Sequence, residues 1–578
     1  MISDHRAPLW GVSPLDDDRW RFRLWAPAAR EVTLVLDGQE IPATRGSDGL
    51  HMVDFRGPDG AVYEMIADGE RVTDPAARWL AQDVHGPARL SRLAGPRVPS
   101  PDRDWREVSI LELHVGTFTP EGTFAAAAAR MAGLAELGLT AVELMPVGAF
   151  GGSRGWGYDG VLPFAPHPAY GTPQELGELV DAIHAAGMLA ILDVVYNHFG
   201  PEGGTLTRLA PDFFDSGRET PWGQGIDYGN RHVRDYFIGN AVMWVRDYGF
   251  DGLRLDAVHQ IRDGSPVHLL RELAETLEAE VPGRKVHLIA EDDRNLPDAR
   301  DRGTITANWN DDYHHSVHCL LTGEDESYYA NFAVDPLRDL ACALEQGHVE
   351  QGQTRQPNDR GRGAPVGHLP PWAFVNANQT HDQIGNRAAG ERLIALAEAR
   401  GELGAMRIAH ALLLSAPAIP MLFMGEEEGA RAPFLFFADF GGELGEGVRK
   451  GRAAEFAAFS QFGGDVPDSL APSTFAASRP YDRPAADADD WRELTRHALT
   501  HRARALVPLL KSGEAGAAEV ARTGPRSLHG RWPFHAGVLR IVAHLGALPE
   551  RPVVLEDPGF ALGTPEDPCH LAVKVTPR

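Results

Sequence analysis

A repeated alternation of short apolar strands with amphipathic helices, beginning near residue 107, constrains the fold more than any other feature. The apolar segments VSILELHV, AVELMPV and MLAILDVVY are separated by helical patterns. Five further strand-like segments follow at residues 252–258, 286–291, 304–310, 373–379 and 419–425. Repeated strand and helix units produce parallel strands. Eight such units favour a closed (β/α)8 TIM barrel, an α/β fold, over an open sheet.

The helix after the second strand is the best delimited one. Thr172 is a candidate N-cap, Pro173 suits the first helical position, and Glu175 can close a capping box. Gly187 provides the ending signal. The pattern therefore predicts a helix between residues 172 and 187.

Two smaller β-domains are predicted at the ends of the chain. Residues 20–66 contain four alternating segments separated by turn residues, which is typical of a small sandwich. We predict an immunoglobulin-like β-sandwich over 1–90, the barrel with inserted loops over 91–511, and a small β-domain over 512–578.

Composition excludes several classes of function. Lys and Arg number 55 against 81 Asp and Glu, and the net charge of −26 opposes binding to nucleic acid or to an anionic membrane surface. No apolar run approaches the ~20 residues of a membrane helix. The first residues lack the pattern of a secretory signal, and three scattered cysteines do not make a disulfide framework. We expect a cytoplasmic protein.

Charged residues occur where the predicted barrel strands end. In GLRLDAVH, Arg254 and Asp256 lie two residues apart and share one side of a strand. A structural ion pair would explain Arg254 and Asp256, but it would not explain the other polar residues at the strand ends. Further polar residues end this strand and others and would meet at the face of a barrel that carries active sites: Asp193, Asn197, His198, His259, Glu291, His381 and Asp382. The convergence favours a functional interpretation.

The same segments carry a family resemblance. DVVYNH, GLRLDAVH, AED and NQTHD, in this order, resemble the four short motifs of the α-amylase superfamily of glycoside hydrolases. Residues 309–332 and 432–456 are similar to its trehalose-releasing members, and the amino-terminal sandwich is similar to a carbohydrate-binding module of such enzymes. The resemblance implies a retaining hydrolase of trehalose biosynthesis. It would cleave the α-1,4 bond next to the trehalose end of maltooligosyl trehalose.

The resemblance also assigns roles to residues. Cleavage of an acetal needs an acid for the departing oxygen and a carboxylate for the oxocarbenium-like carbon. Asp256 matches the nucleophile, Glu291 the acid and then the base, and Asp382 the third carboxylate, which holds sugar hydroxyls. The remaining matched positions are expected to bind or orient the sugar: Tyr158, Asp193, His198, Arg254, His259, His381 and Trp156. Trp156 could instead pack beneath Tyr158.

Other functions stay open on the sequence. A glycogen branching, debranching or amylase-like enzyme would use the same barrel, and an inactive glycan-binding barrel would lack the carboxylates. We predict no cofactor and no metal, although Asn197 matches a calcium-binding position of secreted relatives. Glu426, Glu427 and Glu428 are expected on a solvated surface. The expected partners are maltooligosyl trehalose and related α-glucans, with pathway coupling to a maltooligosyltrehalose synthase that requires no stable complex.

Overall fold

Eight parallel strands form a closed barrel at the centre of the molecule. The structure is a computed structural model that describes residues 10–220, 222–357, 360–457 and 466–578. The predicted (β/α)8 barrel is confirmed. Its strands are β1 (Ile110–Leu113), β2 (Ala141–Leu144), β3 (Leu189–Val194), β4 (Gly252–Leu255), β5 (His287–Ala290), β6 (Ala307–Trp309), β7 (Phe374–Ala377) and β8 (Ile419–Phe423).

Apolar side chains fill the lower part of the barrel. Ile110 of β1, Ala141 of β2, Ile191 of β3 and Ile289 of β5 belong to one buried cluster inside it. The polar side chains of the same strands come later along the chain, towards the carboxyl ends. The barrel therefore supplies a rigid apolar base beneath a polar face.

Helices surround the barrel. The predicted capping box is present: Thr172 accepts from the backbone of Glu175, whose side chain accepts from the backbone of Thr172, and Pro173 begins the helix. The longer helices that follow successive strands are Met131–Leu137, Pro173–Ala185, Arg231–Val242, Leu269–Glu280, Asp311–Thr322, Pro336–Gln346, Leu393–Ala399, Leu403–Ser415, Gly442–Ala457 and Ala488–His501.

The amino-terminal region consists of two antiparallel sheets packed on the barrel. One sheet contains Gly11–Pro14, Arg19–Trp25, Thr44–Arg45 and Leu50–Arg56; the other contains Val32–Leu36, Gln39–Pro42, Val62–Ala67, Glu70–Val72 and Ala88–Arg89. Trp10 meets Tyr236 of a barrel helix edge to face, with ring centroids 5.0 Å apart. The Tyr236 hydroxyl donates to the Pro75 carbonyl at 2.8 Å. These contacts attach the sandwich to the barrel.

A five-stranded antiparallel sheet ends the chain. Its strands are Glu519–Gly524, Ser527–Phe534, Gly537–Leu545, Phe560–Leu562 and Cys569–Pro577. The Trp532 indole donates to the Leu344 carbonyl at 3.2 Å, which joins this sheet to a helix of the barrel. The limits 1–90, 91–511 and 512–578 stay predictions, and residues 1–9 of the first range lie outside the described residues.

Two hairpins extend from the carboxyl ends of barrel strands. Gly148–Phe150 pairs with Gly160–Pro166 after β2, and Phe214–Thr220 pairs with Gly223–Ile226 after β3. Within the described parts of the chain, no helix is long and apolar enough to cross a membrane.

Candidate active site

Arg254 is the centre of the polar cluster at the carboxyl end of the barrel. Its side chain is 1% exposed, and its Nη1 donates to Asp193 at 2.8 Å and to Asp256 at 2.9 Å. Its Nη2 lies 2.8 Å from a carboxyl oxygen of Glu291. The guanidinium carbon is 4.0 Å from the centroid of the Trp309 ring. One buried cation therefore contacts carboxyl groups that end three neighbouring strands.

Asp256 and Glu291 receive further hydrogen bonds that fix their side chains. The Asn197 amide donates to Asp256 Oδ2 at 2.7 Å, and the Ala257 backbone N–H donates to Glu291 Oε2 at 2.8 Å. Burial raises the pKa of Glu291, Arg254 lowers it and Asp256 raises it, and the net pKa lies above the ordinary value. A raised pKa keeps a carboxyl group protonated for acid catalysis.

Asp382 and His381 follow β7 at the start of a short helix. Thr380 caps this helix, and the Asn386 amide donates to Asp382 Oδ1 at 2.7 Å. Burial raises the pKa of Asp382, and its net pKa is above the ordinary value although His381 lowers it. These two residues therefore enter the site from β7, which lies across the barrel from β3 and Asp193.

Tyr158 and His381 form one wall of the site. Their rings stack with centroids 5.0 Å apart and an interplanar angle of 22°. The Tyr158 hydroxyl donates to Asp193, and Glu112 of β1 contacts His381 Nδ1. The predicted residues Tyr158, Asp193, Arg254 and His381 thus belong to one connected group.

His198 and Trp222 lie at the rim on the β3 side. Their rings stack with centroids 4.5 Å apart, and Trp222 is 47% exposed. The ring nitrogens of His198 contact Asn197 Oδ1 and the Tyr158 carbonyl, the latter at 3.0 Å. This geometry favours a positioning role for His198, and its predicted hydrogen bond to the sugar stays a prediction.

Comparison with known proteins gives the cluster its context. The family described as alpha amylase, catalytic domain, matches residues 100–210, and a domain of unknown function matches residues 515–569. A malto-oligosyltrehalose trehalohydrolase from Deinococcus radiodurans is 44% identical over 458 residues, covering 77% of this chain and 74% of the relative. A second, from Rhizobium sp. (strain M-11), is 39% identical over 574 residues, covering 94% and 93%. The chain belongs to the malto-oligosyltrehalose trehalohydrolase family.

A solved structure agrees with this family on the fold. The structure described as "Putative alpha Amylase from Salmonella typhimurium" is 41% identical, with a TM-score of 0.92, and the match covers 98% of this chain and 99% of that one. The whole architecture of this trehalohydrolase family member, from sandwich to final sheet, is therefore shared with a solved protein.

Trp156 is packed behind the site, and its predicted role in binding the sugar stays a prediction. Trp156 is 7% exposed, and its indole N–H donates to the Leu435 carbonyl at 3.0 Å. It stacks on Phe434 and meets His381 edge to face. Trp156 therefore supports the wall of the trehalohydrolase site from behind.

Sequence reasoning missed several residues of the site. Asn197 was placed at the end of the third strand and matched to a calcium position, but its hydrogen bond to Asp256 was not predicted. Glu112 sits in the apolar strand β1, where the argument applied to Arg254 would also have identified it. Asp311 follows β6, and burial, Glu291 and Asp382 together raise its pKa to about 7. Trp222 carried no distinguishing signal in the sequence.

The expectation that Glu426, Glu427 and Glu428 lie on a solvated surface was wrong. Their exposures are 3%, 2% and 7%. The Phe423 backbone N–H donates to Glu426 at 3.2 Å, the Tyr481 hydroxyl to Glu427 at 2.7 Å, and Arg492 to Glu428 at 2.7 Å. Each side chain therefore has one donor that lowers the cost of its burial, although Glu426 Oε1 and Glu427 Oε2 have no hydrogen-bond partner among the described residues.

Among the described residues, His259, Asp292 and Asp293 form a grouping that could hold a metal ion. Their ligand atoms lie within 4.8 Å of one another. Arg294 already pairs with Asp292 at 2.7 Å, and Asp293 is exposed. His259 is thus placed at the rim beside Asp293, and its predicted contact with the sugar stays a prediction.

Proposed function

We propose that this chain is a retaining glycoside hydrolase that cleaves the α-1,4 bond next to the trehalose end of maltooligosyl trehalose. The products are trehalose and a maltooligosaccharide. The observation that carries the proposal is the contact of one buried arginine with both Asp256 and Glu291, in a chain of the trehalohydrolase family. That contact assembles a nucleophile and an acid on neighbouring strands.

In the first step, the Asp256 carboxylate attacks the anomeric carbon on the non-trehalose side of the bond. The bond from this carbon to the trehalose oxygen breaks, and Glu291 donates its proton to that oxygen. Arg254 and the Asn197 amide support this step because their hydrogen bonds hold the Asp256 carboxyl group in place.

In the second step, water replaces trehalose. Glu291, now a carboxylate, removes a proton from the water, which attacks the anomeric carbon and releases Asp256. The close contact of Arg254 with Glu291 stabilises the carboxylate formed between the steps. Two inversions give net retention of configuration.

The surrounding residues would hold the sugar that reacts. Asp382 and His381 offer an acceptor and a donor for its hydroxyl groups, and the Tyr158 ring offers an apolar face. Trp222 adds an exposed aromatic face beside His198. The role of His259 in binding rests on its place at the rim.

The segment 309–332 would select the leaving group. Asp311 from this segment lies near Glu291 and Asp382, which both raise its pKa, and Tyr328 is 48% exposed. Loops at the carboxyl ends of barrel strands shape subsites while the shared carboxyl groups perform the chemistry. We therefore assign the trehalose side of the cleft to this segment.

The proposed setting is the cytoplasm, in trehalose biosynthesis. The three cysteines are free, which suits a reducing compartment. A maltooligosyltrehalose synthase would supply the substrate by diffusion, without a stable complex. The alternatives are a branching, debranching or amylase-like enzyme and an inactive glycan-binding barrel; the presence of Asp256, Glu291 and Asp382 opposes the last.

Analysis of products tests the proposal. Maltotriosyl trehalose is incubated with the enzyme, and the first products are followed by proton NMR. We expect trehalose and maltotriose whose new reducing end is in the α configuration. A β-configured first product would contradict retention, and new α-1,6 linkages would indicate a branching enzyme.

A further inference from the structure

Two acidic side chains lie inside the barrel beneath the catalytic cluster. Glu112 of β1 and Glu143 of β2 are register partners, and they are 1% and 0% exposed. Glu112 lies two residues after Ile110, and Glu143 lies two residues after Ala141. Ile110 and Ala141 belong to the apolar cluster inside the barrel. Because residues two apart in a strand share a side, both carboxyl groups point into the barrel.

The two carboxyl groups have different surroundings. Glu112 Oε2 accepts from the His381 backbone N–H at 3.2 Å, and Oε1 contacts His381 Nδ1. Neither carboxyl oxygen of Glu143 has a hydrogen-bond partner within the described part of the chain. Burial raises the pKa of Glu143 well above its ordinary value, and Glu112 and Asp193 raise it further. Glu112 is thus bound to His381, whereas the raised pKa of the unpartnered Glu143 favours its neutral form.

His381 is surrounded by groups from several strands. Burial lowers its pKa, Glu112 raises it more, and the net pKa is above the ordinary histidine value. The titratable or charged groups that face it are Glu112 from β1, His114 after β1, Tyr158 after β2, Asp193 from β3, Arg254 from β4, Glu291 after β5 and Asp382 beside it. Glu112 makes the direct contacts with Nδ1 and the backbone.

We propose that Glu112 is a positioning residue that holds the backbone N–H and Nδ1 of His381 and so directs its Nε2–H into the cleft, towards a hydroxyl group of the reacting sugar. The Glu112–His381 pair is neutral as a whole. It therefore strengthens a donor without adding net positive charge beside an oxocarbenium-like carbon. Within the described residues, Glu143 makes no hydrogen bond to His381 and is not expected to strengthen it as a donor. This inference rests on the proposed function.

Two matched variants test the proposal. Glu112→Gln and Glu143→Gln make the same chemical change at paired, buried positions of neighbouring strands. The His381 ring is followed by NMR in protein with ¹³C-labelled histidine, and its signal is assigned by its loss in His381→Asn. We expect the His381 pKa to fall by about one unit or more in Glu112→Gln and to stay within a few tenths of a unit of the parent in Glu143→Gln.

Activity gives the second measurement. The alkaline limb of kcat/KM on maltotriosyl trehalose should move to lower pH in Glu112→Gln, and Glu112→Asp, which keeps the charge, should restore it. If Glu112→Gln does not fold, Glu112→Asp and Glu143→Gln must still keep the parent titration of His381. An unchanged His381 titration in Glu112→Gln, or equal shifts in both Gln variants, would overturn the proposal. The NMR titration needs no substrate, so failure to cleave maltotriosyl trehalose would count against the proposed function alone.

Discussion

Arg254 keeps its charge inside the barrel because carboxyl groups of Asp193, Asp256 and Glu291 contact it. Burial lowers the pKa of Arg254, but these neighbours raise it more, so the net pKa lies well above the ordinary value. Isolated buried charges are costly, and paired ones with good geometry are tolerated. At the scale of single residues, the site is therefore a network in which each carboxyl group depends on the arginine.

Replacement of either reactive carboxyl group should stop the reaction while leaving the fold intact. Asp256→Asn removes the nucleophile and Glu291→Gln removes the proton donor, so each variant should lower kcat by at least ~10². Turnover on maltotriosyl trehalose is the measurement, with circular dichroism to compare the folds. Near-normal turnover by either folded variant would contradict the assignment.

Asp311 should make the stability of the protein depend on pH. Burial, Glu291 and Asp382 raise its pKa to about 7 in the folded state, from 3.8. The contribution of Asp311 to the free energy of unfolding is therefore fully present below about pH 4 and is lost as the pH rises through about 7. Asp311→Asn should raise the free energy of unfolding at pH 8, relative to the parent, by on the order of 1 kcal/mol. At pH 4 the difference should be small.

Thermal unfolding at pH 4 and pH 8 measures this effect. The control is Asp325→Asn, at an exposed position of the same segment, where substitutions usually change stability little. Equal melting temperatures of Asp311→Asn and the parent at pH 8 would argue against a raised pKa for Asp311.

At the scale of elements, the sequence predicted what depends on local pattern. The eight barrel strands were predictable because each is a short apolar run between helical patterns, and the helix at Thr172 was predictable from its caps. Contacts between distant residues were not predictable. Asn197 binds Asp256 from 59 positions away, and Arg492 pairs with Glu428 across 64 positions. Because their partners could not be identified from the sequence, Glu426, Glu427 and Glu428 were predicted to lie on the surface.

The hairpin after β3 should contribute to sugar binding through Trp222, which is exposed and stacked on His198. Aromatic stacking of this kind contributes about 1 kcal/mol. Trp222→Ala should therefore raise KM about fivefold with little change in kcat, and Trp222→Phe should keep most of the affinity. KM and kcat of the variants are measured by steady-state kinetics on maltotriosyl trehalose. An unchanged KM in Trp222→Ala would exclude a contact of Trp222 with the sugar.

At the scale of the whole molecule, a shared catalytic barrel is combined with loops that differ between enzymes. A barrel of this kind supports many different activities, so the fold alone does not determine the substrate. The motifs at the strand ends could be identified from the sequence, and so could the segment 309–332. The orientation of Asp311 towards Glu291 depends on the closure of the barrel and required the structure.

The central claim is that the leaving-group side of the cleft recognises trehalose. Trehalose is joined through both anomeric carbons and presents a different pattern of hydroxyl groups from maltose. A site that hydrogen-bonds this pattern leaves buried polar groups unpaired when maltose occupies it, which can cost several kcal/mol in the transition state. Discrimination should therefore appear in kcat/KM.

Comparison of two pentasaccharides of equal length is the most direct measurement of this claim. The ratio of kcat/KM for maltotriosyl trehalose to that for maltopentaose is determined with the same enzyme preparation. We predict a ratio of at least ~10² in favour of maltotriosyl trehalose. Comparable values for the two sugars would contradict the claim and indicate an amylase-like enzyme.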